Sequence, residues 1–240
     1  WLEGLKFRLS PPLDKDWAWI GDSEPVRYMA AAWDAPDGIV PMTPSISGRS
    51  GIGKTTLAVH TARAIFKLPV HLQNCDTTLS GPALTLEAIV SEHKGAVLRA
   101  SPLVSALLTG AAAILKDAGR LSERCWALIA PLLDERRWLD VPGLGLRLTP
   151  RPGFRLCATI TEGSLVHQLP DFIQARLAPR LRLELPQADD LEAVLRDRSG
   201  IEDERLVERR QRALHDGVEA GLVGAVGAPV ARGALEHSQS

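Results

Sequence analysis

The 240-residue chain has no surplus of charge of either sign: 28 Lys and Arg stand against 29 Asp and Glu. That balance removes the electrostatic case for nucleic acid or an anionic membrane as the principal partner and leaves only local basic patches. Cysteine is scarce. Cys75, Cys125 and Cys157 lie far apart and form no CxxC pair, which excludes a disulfide framework and a thiolate zinc site and leaves reduced thiols in a core. No two of the six histidines stand at i, i+4, so a helical metal site is excluded as well. Apolar stretches stop well short of the ~18 residues of a membrane span. No charged, apolar and small-residue sequence of a signal peptide opens the chain, and the cytoplasm is the expected compartment. The first residue is Trp1 rather than Met, so the chain is expected to be a fragment or to lack residues at its start.

What is present reads as three regions. Residues 1–37 hold four Pro and four Trp (Trp1, Trp17, Trp19, Trp33) without steady periodicity. They are expected to form an irregular segment around one short helix, "SEPVRYMAAAW", with Ser23 as its N-cap. The tryptophans are suited to ordinary packing, and also to lying over an adenine ring or marking a partner surface. From residue 38 to 186, short β-branched runs alternate with longer helical patterns: "TPSIS", "TTLAVHTARAIF", "PVHLQN", "AAAIL", "SERCWALIAPLLDE", "GFRLCATI" and "LRLEL". Strands alternating with helices predict a three-layer α/β core around a mainly parallel sheet. Residues 187–240 turn to charged helix and a Gly/Ala-rich tail, a short helical lid with a loose end. The arginines of "EDERLVERRQRALHDG" are interleaved with acids and form a solvated helix face.

Within this frame "GRSGIGKT", Gly48 to Thr55, fits GxxxxGK[ST] at every fixed position and lies between a strand pattern and a helix pattern, the context that a phosphate-binding loop requires. Gly48, Arg49, Ser50, Gly51, Ile52 and Gly53 would turn successive N–H groups toward the phosphates, and Lys54 would supply a point charge. Thr55 would place its hydroxyl on Mg²⁺, and Thr56 continues the helix start. The expected cofactor is ATP or ADP with Mg²⁺.

Beyond the loop, "ASPLVSALLTGAAAIL", "RLSERCWALIAPLLDERRWLD", "FRLCATI" and "LPDFIQARLAPRLRLELP" follow in order. In these segments the chain resembles AAA+ ATPases of the MoxR-like, dynein-related group, over residues 38–186. The resemblance implies a P-loop α/β core with a helical lid and assembly into a homo- or hetero-oligomeric ring with nucleotide between subunits. It also implies chaperone-like remodelling of an unidentified protein partner. It places Arg176 where an arginine of one subunit reaches the γ-phosphate held by its neighbour, with Arg180 the nearby substitute. Arg232 is the late candidate for a lid arginine that senses nucleotide.

The hydrolytic half departs from the family. Its pattern is an apolar run, then Asp-Glu, and "ILKDAGRLSE", residues 114–123, offers neither acid in place. Aligned without a gap, Lys116 takes the Mg²⁺ aspartate position and Asp117 the catalytic glutamate position. With one deletion, Asp117 becomes the metal ligand and Ala118 replaces the glutamate, at the cost of an ammonium inside an apolar strand. The ungapped alignment is favoured. In "CATIT", Thr161 stands where the family offers an asparagine that orients the attacking water. Asp134, Glu135 and Glu162 are alternative acids, each expected to be a solvated loop or helix-end residue. The sequence therefore points to a nucleotide-binding protein with weak or lost hydrolysis that serves as a regulatory or assembly subunit. Two other outcomes stand beside it: an active remodelling chaperone using Asp117, and a nucleotide-gated interaction module that forms no ring.

Overall fold

The runs at 45–48, 112–116 and 155–161 form strands that are largely buried on both faces, and the helical patterns between them supply the covering layers. A computed structural model of the chain describes residues 7–36, 38–91, 95–163, 169–186 and 188–199. Its strands are β1 (Phe7–Arg8), β2 (Ser45–Gly48), β3 (Val70–Asn74), β4 (Leu86–Ser91), β5 (Gly95–Ala100), β6 (Ala112–Lys116), β7 (Leu139–Val141), β8 (Leu146–Leu148), β9 (Arg155–Thr161) and β10 (Arg180–Arg182). Its helices are α1 (Glu24–Trp33), α2 (Lys54–His60), α3 (Gly81–Leu84), α4 (Pro102–Thr109), α5 (Glu123–Leu133), α6 (Asp171–Gln174) and α7 (Ala188–Ser199).

Five strands form the central sheet in the order β10-β2-β9-β6-β3, and all neighbours are parallel. The first strand in sequence therefore lies inside the sheet, so the loop that follows it opens at the same edge as the ends of β6 and β9. Alternate residues of β6 serve the two faces. Ala112 and Ile114 join Met29, Trp33, Leu57 and Ala58 from α1 and α2, whereas Ala113 and Leu115 join Leu103, Leu107, Trp126 and Ile129 from α4 and α5. This is the expected three-layer core. Trp33 is fully buried and donates its indole N–H to the Leu156 carbonyl at 3.0 Å, which ties α1 to β9.

Side-chain caps set two of the helix starts. Ser101 Oγ accepts from the Val104 amide and Ser122 Oγ from the Cys125 amide, at 3.1 and 3.3 Å. Ser23 occupies the N-cap position of α1 as expected, but its hydroxyl makes no capping bond. Asp22 accepts the Glu24 amide instead, at 2.9 Å, because a carboxylate one residue earlier reaches the same unpaired donor. Beyond α2 the chain continues through a π-helical turn over Thr61–Ile65.

The sequence pattern did not reveal two hairpins. Strands β4 and β5 pair antiparallel, and β1 adds to them in a three-stranded sheet ordered β1-β5-β4. Strands β7 and β8 form a second antiparallel pair. Of the expected lid, α7 is present, while the helix carrying Arg205 and the tail carrying Arg232 lie outside the described residues. All three cysteines are buried free thiols. Among the described residues no helix is long and apolar enough to cross a membrane.

Candidate functional site

The loop after β2 is shaped by glycines that nothing else could replace. Gly48 has φ +145°, and a Cβ there would stand 2.4 Å from the Ile52 side chain and 2.6 Å from the Leu183 carbonyl oxygen. Gly53 caps α2 in the left-handed region at φ +93°, with Trp19 where its Cβ would point, 3.2 Å away. The loop therefore folds back on itself and delivers Lys54 into the first turn of α2.

Lys54 is 6% exposed. Its ammonium donates to the carbonyl oxygens of Gly48 and Arg49 at 2.9 and 2.6 Å. Burial lowers its pKa from the ordinary lysine value, and the nearby charges of Asp117 and Glu162 oppose that shift. A cation thus sits over a curled run of backbone, with two carboxylates behind it. Thr55 is half-buried and Thr56 buried, next along the same helix.

Lys116 is the last residue of β6, paired with Asn74 of β3, and is half-buried. Asp117 leaves the strand with φ +58° and ψ +41°. Its amide donates to Thr159 Oγ1 at 3.1 Å, and its carboxylate accepts the Thr161 hydroxyl at 2.8 Å. Residue 117 is thereby tied to β9 through both its backbone and its side chain. Gly48 O accepts from Glu162 N–H at 3.0 Å as well as from Lys54. The Glu162 carboxylate is held by Arg182 of β10 at 3.0 and 3.2 Å. Loop, Asp117, Thr161 and Glu162 therefore meet at one edge of the sheet.

Two sequence expectations look different in this geometry, and a third residue, Arg176, expected to reach a neighbouring subunit's nucleotide, gains partners of its own. Glu162, expected to be a solvated alternative, is exposed but anchored to the first residue of the phosphate loop. Its signal was the adjacency to Thr161, which strand pairing places opposite Gly48. Asp134 is also not a free solvated acid. It follows α5 with its side chain 22% exposed, and both of its oxygens accept from Arg136, at 2.9 and 2.8 Å. Hydrogen bonds from Arg136, and then Arg176, hold its carboxyl far below the usual carboxylate range. Arg176, finally, contacts no phosphate-loop residue: its Nε donates to Asp134 at 3.1 Å and its Nη1 to the Phe172 carbonyl. Arg180 reaches the Gln174 carbonyl. Glu135 is exposed. Thr159 and Trp19, which touch Asp117 and the loop, carried no motif in the sequence.

His71, on β3 as expected, is buried without a partner for Nδ1 among the described residues. Among those residues no three His, Cys, Asp or Glu side chains converge to hold a metal. Mg²⁺ at a phosphate loop does not need such a cage, because one hydroxyl, one carboxylate, water and phosphate oxygens supply its octahedron.

Comparison with other proteins agrees with this architecture. An uncharacterised protein of Staphylococcus epidermidis is 28% identical over 169 residues, covering 68% of this chain and 63% of the relative. One of Staphylococcus aureus is 25% identical over 170 residues, covering 68% and 64%. The chain thus spans under two thirds of the length of these relatives. Two structures of variant RuvB from Thermotoga maritima share the fold, with TM-scores of 0.52 and 0.53 at 18% and 17% identity. Each match covers 86% of this chain, and 66% and 67% of the respective RuvB chain. The family described as AAA domain (dynein-related subfamily) matches residues 45–177, from β2 through Arg176. That span is more than half of the chain, and the chain belongs to the dynein-related subfamily of AAA domains, an ATPase family whose membership points to nucleotide binding.

Proposed function

We propose that this chain is a MoxR-like AAA+ protein that binds ATP or ADP with Mg²⁺, hydrolyses it weakly or not at all, and serves as a regulatory or assembly subunit for a protein partner. The observation that carries the proposal is the contrast within the site. The phosphate loop is complete and Lys54 is in place, whereas the strand beside it ends in Lys116 followed by an Asp117 already engaged by Thr161.

Residues 38–186 are taken as the nucleotide-binding core and 187–240 as the lid, preceded by the segment 1–37. Gly48 to Gly53 present their amides to the phosphates. Lys54 exchanges its two carbonyl partners for phosphate oxygens, and Thr56 steadies the first helical turn. Thr55 is the protein oxygen donor offered to Mg²⁺, which would supply charge neutralisation on the phosphates. Lys116 repels the metal and covers part of its electrostatic role. Asp117 is one methylene shorter than the family's glutamate. One of its oxygens already accepts the Thr161 hydroxyl at 2.8 Å, which leaves the other to hold an attacking water. Loss of a well-placed general base costs roughly 10²–10⁴ in rate.

The second reading, an active remodelling chaperone, draws on the same Asp117, because its charge is felt at Lys54. Ring assembly and a protein partner, implied by the family resemblance, and a cytoplasmic setting belong to both readings. Nucleotide binding measured beside phosphate release separates them: micromolar binding with negligible turnover is expected. Robust Mg²⁺-dependent turnover that Asp117→Asn abolishes would establish the chaperone reading instead.

A further inference from the structure

Arg176 lies at the far end of the family-matched span, and its hydrogen bonds go to Asp134 and Phe172 rather than to the phosphate loop. The guanidinium is held at two points. Nε donates to Asp134 at 3.1 Å and Nη1 to the Phe172 carbonyl, while Nη2 makes no hydrogen bond among the described residues. Asp134 is itself fixed from behind. Arg136 donates to both of its oxygens, at 2.9 and 2.8 Å, and through its backbone amide at 3.1 Å. Arg136 in turn lies 5.7 Å from the Trp138 ring, against which Arg147 also stacks at 4.2 Å. The side chain of Arg176 is 31% exposed. It borders an open cavity of about 580 Å³ together with Met42, Leu133, Asp134 and Arg136.

We infer that Asp134 is a positioning residue for Arg176: it fixes the guanidinium at Nε, with Nη1 on the Phe172 carbonyl, and leaves Nη2 for the terminal phosphate of a nucleotide held by a second copy of this chain. The inference rests on the proposed role of Arg176 between subunits. A free arginine loses rotamer freedom when it meets a phosphate, so a carboxylate that has already fixed the side chain removes that cost. A guanidinium has five N–H donors, and two of them satisfy the clamp, which leaves enough for a bidentate phosphate contact. Because Arg136 holds Asp134, the carboxylate cannot follow Arg176 outward and cap it.

The test is the association constant of the full chain, by sedimentation, with a non-hydrolysable ATP analogue and with ADP. The ratio of the two constants reports contact with the terminal phosphate, and a loss of fold stability alone does not move it. In the native chain the analogue is expected to favour association. Arg176→Ala should erase that preference. Asp134→Asn, which keeps an acceptor for the Arg136 amide, should reduce it about tenfold, the value of one charge-assisted hydrogen bond. The double variant should lose no more than Arg176→Ala alone. If Arg176→Ala erases the preference and folded Asp134→Asn leaves it intact, the clamp is overturned while the role of Arg176 stands. Additive losses also overturn the clamp. If Arg176→Ala changes nothing, or the native chain shows no preference, the role of Arg176 falls and the clamp with it. Should Asp134→Asn not fold, Asp134→Ser, which also keeps a capping oxygen, is measured against the same outcomes.

Discussion

A buried lysine whose partners are only two backbone carbonyls is a poor resting place for a charge, and Lys54 is tuned by that fact. Its desolvation lowers its pKa, so the unfolded chain holds the proton more tightly than the folded one. The penalty is complete at neutral pH and is relieved as pH rises from the lowered folded value toward the unfolded value of 10.5. Lys54→Met removes both the penalty and the phosphate contact. It should leave the nucleotide-free protein folded with an unchanged or higher melting temperature, while nucleotide affinity falls by about a hundredfold, roughly 2.7 kcal/mol. Calorimetry of the free protein beside titration with ADP reads both effects. At this scale the sequence was informative where chemistry demands one residue type. Gly48, Gly53 and Lys54 stood in a fixed motif, and the structure gives each a reason. Thr159 was illegible as a site residue, and Glu162 was visible only as an alternative acid, because only the pairing of β9 with β2 and β6 brings them to the loop. Asp134 was visible as an acid but not as a partner of Arg176, which lies 42 residues away in sequence.

Among the elements, β3 is the edge strand of the parallel sheet, and it carries a histidine inward. His71 is 4% exposed and burial lowers its pKa below the ordinary 6.5. The folded strand therefore keeps it neutral while the unfolded chain takes up a proton. Stability should be full above about pH 6.5 and fall as pH drops through the interval down to the lowered folded value. The slope there is at most one proton, about 1.4 kcal/mol per pH unit. His71→Val, which suits a buried strand, should flatten this acid dependence, seen as a smaller fall in melting temperature between pH 7 and pH 5; an unchanged profile would show that other groups control it. Element by element, the buried parallel strands and their covering helices were legible because burial on both faces leaves continuous apolar runs. The β4–β5 hairpin was not recognised. In the sequence, four consecutive polar or charged residues, Ser91 to Lys94, separate its two apolar runs and obscured them.

For the whole molecule, the arrangement separates holding a nucleotide from cleaving it. The loop depends on glycines and on one face of α2, whereas the hydrolytic residues hang from the ends of β6 and β9. In the proposed reading the second set has changed while the first is intact. Lys116→Asp combined with Asp117→Glu restores the acids of the family pattern in the ungapped alignment. It should raise phosphate release at least tenfold, roughly 1.4 kcal/mol of barrier, with little change in affinity. No gain would favour the gapped alignment.

Trp19 stands 3.2 Å from where a side chain on Gly53 would begin, and its indole N–H is spent locally on the Asp22 carbonyl at 2.7 Å. Trp33 and Trp126, by contrast, lie fully buried in the two cores, where a ligand at the loop leaves them undisturbed. Of the described tryptophans, Trp19 is the one in contact distance of the loop, so the chain contains its own optical reporter. Tryptophan emission should shift when ADP fills the loop, and Trp19→Phe should silence the shift without abolishing binding. Occupancy could then be followed continuously, in the unlabelled protein, whether or not a single phosphate is ever released.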